Sequence, residues 1–128
     1  RVDRTFQRLS SSGNLSVLLG FAVLPVQLIE RGSNLYVRTS DHRVLIFDIY
    51  GAFKKQLQPG EIREMQVVHD RLYLITEKGI HMINTVTSES AQLPLPLSDA
   101  RFYASKGMLY AVKAGVLYTF KFPETARN

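Results

Sequence analysis

The 128-residue chain has no cysteine, which excludes disulfide frameworks, thiolate nucleophiles and cysteine-ligated zinc. It also lacks a long apolar run. The longest, Val17 to Val26, contains Gly20 and Pro25 and falls short of the roughly 20 residues that a membrane-spanning helix needs. The chain opens Arg1-Val2-Asp3-Arg4, with no initiator methionine and no visible leader, so it is expected to be a processed product or a fragment. Hydrophobic residues still make up 45% of the sequence. That is far too many for a disordered polymer and enough for one packed domain.

Acidic residues are the scarcer charge, 11 Asp and Glu against 16 Lys and Arg, leaving a net charge of +5. A basic surplus points to nucleic acid only when it is clustered. Here Lys54-Lys55 are adjacent, while other cations sit beside acids, as in Glu30-Arg31, Asp70-Arg71 and Glu77-Lys78. The expectation is therefore a solvated basic surface, and nucleic acid is not the expected partner.

What is present is a repeat. Leu-Tyr occurs at Leu35-Tyr36, Leu72-Tyr73 and Leu109-Tyr110, 37 residues apart each time. Each pair opens a short run suited to a strand, and a second run follows after a polar or glycine-containing break: Val44-Leu45-Ile46-Phe47, Ile80-His81-Met82-Ile83 and Val116-Leu117-Tyr118. A run precedes each pair (Val26 to Ile29, Met65 to Val68, Arg101 to Ala104), and a polar run closes the first two units (Ala52 to Leu57, Glu89 to Leu93). Four short antiparallel strands at a 36–38 residue period predict an all-β fold, a partial β-propeller of about three blades. The inner runs are apolar on successive residues, as strands packed on both faces should be.

The expected division is residues 1–20 as third and fourth strands of an incomplete first blade, 21–60 and 61–98 as full blades, and 99–128 as a last blade without its outer strand. The entry strands rest on aligning Leu9 to Leu15 with Phe47 to Phe53. The expected strand total is 13, and three blades alone should not be stable as an isolated closed ring. The remedy is either further blades of the same chain upstream, or a second copy in which Asn14–Leu19 is lent as a strand.

The segment Val44 to Phe53, with Phe47-Asp48 and Gly51-Ala52-Phe53, resembles NHL-type repeats and their six-bladed relatives. Leu28-Ile29-Glu30-Arg31, Ile46 to Gly51 and Leu93-Pro94-Leu95-Pro96 together resemble a family of uncharacterised exported bacterial propeller proteins. That resemblance implies the C-terminal half of a roughly six-bladed ring and a periplasmic or extracellular location. It brings no catalytic residues. The middle unit departs from the repeat, with Asn84 for the Asp and Ser88 near the Gly position.

Catalytic chemistry is hard to find. His42, His69 and His81 have no metal-ligand spacing, so no metal and no cofactor are expected. Serines lack a nucleophile-elbow context. Asp48 is expected to accept hydrogen bonds from its own turn, and the recurring tyrosines are expected to pack rather than stack a ligand. By analogy with other propellers, ligands lie on the face formed by inter-blade loops and second-to-third-strand hairpins. There the chain is expected to place Glu61, Arg63, Glu64, Ser98, Asp99 and Arg101, with Asp41, His42, Arg43, Glu77, Lys78 and Lys113 from the hairpins. The candidate ligand residues are Arg63, Arg101, His42, Arg43, Lys78 and Lys113.

The expected function is a non-catalytic interaction or scaffold module that binds a protein or polysaccharide at this face. Two alternatives stand beside it. One is an NHL-like nucleic-acid binder, resting on net charge. The other is part of a hydrolase or lyase whose catalytic residues lie in other blades.

Overall fold

A computed structural model describes residues 5–105 and 107–123; the outer ends of the expected first and last units, 1–4 and 124–128, lie outside these. The chain divides into two compact units between Leu57 and Gln58. None of its helices, among the described residues, is long and apolar enough to cross a membrane.

The first unit holds one antiparallel sheet, in the order β1 (Pro25–Arg31), β2 (Asn34–Thr39), β3 (Val44–Asp48) and β4 (Phe53–Leu57). Its hairpins follow from local chemistry. Gly32 and Ser33 both take left-handed φ, at 53° and 68°, between the paired Arg31 and Asn34. Two such residues give the turn whose twist matches the strands it joins. At the β3–β4 turn the Asp48 carboxylate accepts from the amides of Tyr50 and Ala52, both at 2.9 Å, as its sequence context predicts.

The strands expected within residues 1–20 are absent from the described part of that stretch. Instead a short helix, α1, spans Leu15–Leu19. Asn14 caps it, its side chain accepting from the amides of Ser16 and Val17 at 3.0 and 3.3 Å. Gly20 ends it in the left-handed conformation, φ 80°, donating to the Ser16 carbonyl. These caps outweigh the alignment with Phe47 to Phe53, and the Asn14–Leu19 strand exchange does not fit a helical segment. Leu15 and Leu19, one turn apart, join Phe21 and Val23 in packing on Val37, Leu45 and Phe47. The described residues therefore contain 11 strands rather than 13.

The second unit holds two sheets. The first runs β5 (Ile62–Val68), β6 (Arg71–Thr76), β7 (Gly79–Asn84), β8 (Ser90–Leu93) in order; the other has β9 (Arg101–Ser105), β10 (Met108–Lys113) and β11 (Val116–Lys121). β6 is buried continuously from Leu72 to Thr76, which is why its sequence does not alternate. Tyr73, Ile75, Ile80 and Met82 from one sheet pack with Phe102, Ala104, Leu109, Ala111 and Phe122 from the other. Side chains of this size each contribute about 1.5–3 kcal/mol on full burial. The β7–β8 turn repeats the Asp48 device with an amide: Asn84 Oδ1 accepts from Val86 and Thr87 at 2.9 and 3.0 Å. Ser88 takes the left-handed conformation there, φ 66°, standing in for glycine.

The two buried polar residues, Thr39 and Thr76, lie 37 positions apart and end β2 and β6. Each hydroxyl accepts from a hairpin amide, Arg43 N or Lys78 N, both at 3.1 Å. Burial of the hydroxyl is tolerated because it is bonded within its own turn.

Candidate functional site

In each four-stranded sheet one end collects the start of the first strand, the second-to-third hairpin and the end of the fourth strand. The registers show it: Pro25 pairs with Thr39 and Leu57 with Val44, while Ile62 pairs with Thr76 and Leu93 with Ile80. The basic residues expected on a loop face fall at this end, although several lie within strands. Arg63 lies inside β5 as the extra residue of a bulge between Ile62 and Glu64. Arg101 opens β9 and Lys113 closes β10.

In the second unit these side chains are paired. Arg63 Nη2 meets Glu77 Oε1 at 3.1 Å, and Arg101 Nε meets Glu64 Oε1 at 3.2 Å. Lys113 Nζ lies 3.5 Å from Ser98 Oγ. The Arg101 side chain is 85% exposed although its carboxylate partner is only 18% exposed; the guanidinium is held at its base and projects outward. Lys78 is anchored through its backbone, its amide donating to Thr76 Oγ1 and its carbonyl accepting from Gln92 Nε2 at 3.2 Å.

His42 and Arg43 lie in the β2–β3 hairpin of the first unit. His42 adopts a left-handed φ of 64°, and its amide donates to the Thr39 carbonyl. Arg43 donates through Nε to Asp41 Oδ2 at 2.9 Å and stacks on Phe21, with Cζ 3.7 Å from the ring centroid. Such stacking holds the guanidinium flat on an apolar surface. Asp41 accepts from the Thr39 hydroxyl as well. That bond, then the one from Arg43, holds the Asp41 carboxyl below its ordinary range. Arg43 thus has a structural partner on each side.

A feature the sequence reading missed joins the two sheets of the second unit. Glu64 and Gln66, two apart on β5, reach the backbone of β9. Glu64 Oε2 accepts from the Phe102 amide at 2.9 Å, and Gln66 Nε2 donates to the Phe102 carbonyl at 2.7 Å. Gln66 Oε1 also accepts from the Ala104 amide. The innermost strand of one sheet therefore satisfies the free edge of the next with side chains. The sequence signal was there: two long polar side chains at alternating positions in the otherwise apolar Met65-Gln66-Val67-Val68.

Elsewhere, a cleft of about 600 Å³ in the first unit is lined by Ser10, Ser12, Val37, Phe47 and Tyr50, among others. None of the six candidate ligand residues lines it. The His81 Nε2 atom is buried without a hydrogen-bond partner. Among the described residues no group of three His, Cys, Asp or Glu is placed to hold a metal ion.

No family model and no curated protein matches the sequence. Solved structures do match. The chain is similar to the N-terminal domain of Nup159, with 13% identity and a TM-score of 0.54, over 80% of this chain and 32% of that one. It is similar to Kluyveromyces lactis Hsv2p, with 14% identity and a TM-score of 0.54, over 80% and 34%. A second K. lactis Hsv2 structure, with a complete loop 6CD, gives 15% identity and a TM-score of 0.52 over 84% and 35%. The chain spans about a third of the length of the structures it matches. At these identities the likeness concerns fold alone: the chain is all-β, with antiparallel sheets of four, four and three strands that match part of a β-propeller.

Proposed function

We propose that the chain is a non-catalytic interaction module whose strand-start rim binds an acidic protein segment or acidic polysaccharide. One observation carries this reading: the Arg101 guanidinium, 85% exposed, is held by Glu64 through Nε. A fork positioned this way is pre-organised for a carboxylate or sulfate, which lysine alone would meet as a mobile point charge. Arg63 and Lys113 supply further positive charge from the same end of the second unit. Arg43, pinned by Asp41 and Phe21, is a weaker contributor. We take the location to be periplasmic or extracellular as part of the same reading, on the motif resemblance, and fractionation of the native host tests it.

The binding test uses immobilised acidic polymers (heparin, polygalacturonate, polyglutamate) at low salt. Retention that drops when Arg63 and Arg101 are both replaced by alanine, with the melting temperature within about 2 °C of the parent, supports the rim. Equal retention of the double variant, or no retention of the parent, overturns it. Duplex DNA separates the nucleic-acid alternative: contact with several phosphates gives a log–log salt slope of about −0.9 per phosphate, and a flat response removes it.

A further inference from the structure

In the first sheet the residue opening the third strand, Val44, pairs with Leu57 at the end of the fourth and is 0% exposed. In the second sheet Ile80 pairs with Leu93 and is 1% exposed. Leu117 holds the same register in the third sheet: it faces Val112 as Ile80 faces Ile75 and Val44 faces Arg38. Yet Leu117 is 65% exposed, because no fourth strand borders β11 among the described residues. The missing strand should end in an apolar residue opposite Leu117.

The two fourth strands that do form close with Lys55-Gln56-Leu57 and Ala91-Gln92-Leu93. Near the start of the chain Gln7-Arg8-Leu9 has the same form, preceded by Phe6. Phe6 and Leu9 are 104% and 86% exposed, and the segment belongs to no strand. With Leu9 opposite Leu117, Phe6 falls opposite Phe120. The first sheet already shows this pairing: Phe53 on β4 faces Phe47 on β3, their rings edge to face at 5.6 Å, and Phe47 and Phe120 hold equivalent registers. The donor has its leucine, its phenylalanine and two polar residues at the positions the acceptor edge requires.

We propose that Phe6–Leu9 of a second copy of this chain pairs antiparallel with β11 and completes the third sheet. Within one copy the root of the segment is tied to the first sheet, Ser10 Oγ donating to the Tyr50 carbonyl at 3.1 Å, while β11 keeps its edge open. Exchange between copies satisfies both at once: each edge gains its backbone partners, and each exposed Phe and Leu gains cover. This pairing does not rest on the rim reading above, and its test involves no acidic ligand.

The absence of cysteine makes the test unambiguous. Chains carrying only Leu9→Cys or only Leu117→Cys are mixed and mildly oxidised; a disulfide needs Cβ atoms about 3.5–4.5 Å apart. The expected product is a crosslinked heterodimer, formed several-fold more readily than from Leu9→Cys mixed with the off-register Thr119→Cys. The unmodified chain should sediment at twice its own mass. Both positions are exposed, and thermal melts of each variant check that folding is intact. Crosslinking confined to single chains of a Leu9→Cys/Leu117→Cys double variant, with none in mixtures, would overturn the second-copy assignment. Equal crosslinking on and off register, or none, would overturn the strand pairing itself.

Discussion

Gly79 is the residue at which the backbone leaves least choice. Its φ is 136°, and a Cβ built there would lie 2.1 Å from the Leu93 carbonyl oxygen, well inside contact distance. Gly79→Ala must therefore shift β8 away from β7 or strain the turn, and should cost about 2 kcal/mol or more in urea unfolding. Gly51→Ala, with φ 91° but nothing within 4 Å, should cost only about 1–2 kcal/mol. Asp41 makes a different prediction. Its carboxyl sits below the ordinary 3.8 because the Thr39 hydroxyl and Arg43 favour the anion. A depressed folded-state value means stability that is present above the unfolded value and lost as pH falls through the folded one. Asp41→Asn should flatten that part of the acid limb, read as urea midpoints between about pH 2 and pH 6. The role of Asp48 was legible because an Asp followed by Gly three residues later is a local turn device. Those of Thr39 and Thr76 were not, since a hydroxyl at a strand end shows its partners only once the hairpin closes.

At the scale of strands, the Leu-Tyr repeat located β2, β6 and β10 because consecutive apolar residues demand two covered faces. Leu72, fully buried on β6, should cost about 2–5 kcal/mol when cut to alanine. Glu89→Ala, at an exposed position just before β8, should stay within about 0.5 kcal/mol. Similar losses for the two in urea melts would contradict this order of burial. The reading failed at α1. Leu15, Val17 and Leu19 alternate as a strand would, and the decisive signals were the flanking Asn14 and Gly20, whose capping weight a repeat alignment does not register. α1 has a recognisable duty nonetheless. Leu35, Val37, Leu45 and Phe47 occupy the registers that Leu109, Ala111, Tyr118 and Phe120 hold in the third sheet. In the second unit Leu109 and Ala111 are buried with residues of the adjacent sheet; in the first, Val37, Leu45 and Phe47 lie under Leu15, Leu19, Phe21 and Val23. The short helix covers for its sheet what a neighbouring sheet covers elsewhere.

Across the molecule, the fold class could be read from the period, and the rim residues were named before their partners were known. What the sequence hid was the pairing of those residues, because ion pairs such as Arg101–Glu64 span 37 positions and depend on how one sheet meets the next. The Glu64 and Gln66 contacts to β9 are the largest such omission. Gln66→Ala should leave the Phe102 carbonyl and the Ala104 amide without their partners. It should then speed hydrogen exchange at Ala104 while leaving amides in the middle of β6 unchanged; equal protection in parent and variant would show that the contact is incidental. The same contact bears on how such repeats can diverge. Glu64 and Gln66 grip main-chain atoms, which every residue type except proline supplies in full. Side chains on β9 can therefore be exchanged over evolutionary time without loosening the grip, whereas the two gripping positions cannot. A saturation library should show this asymmetry directly: narrow tolerance at 64 and 66, and broad tolerance at the outward-facing Tyr103.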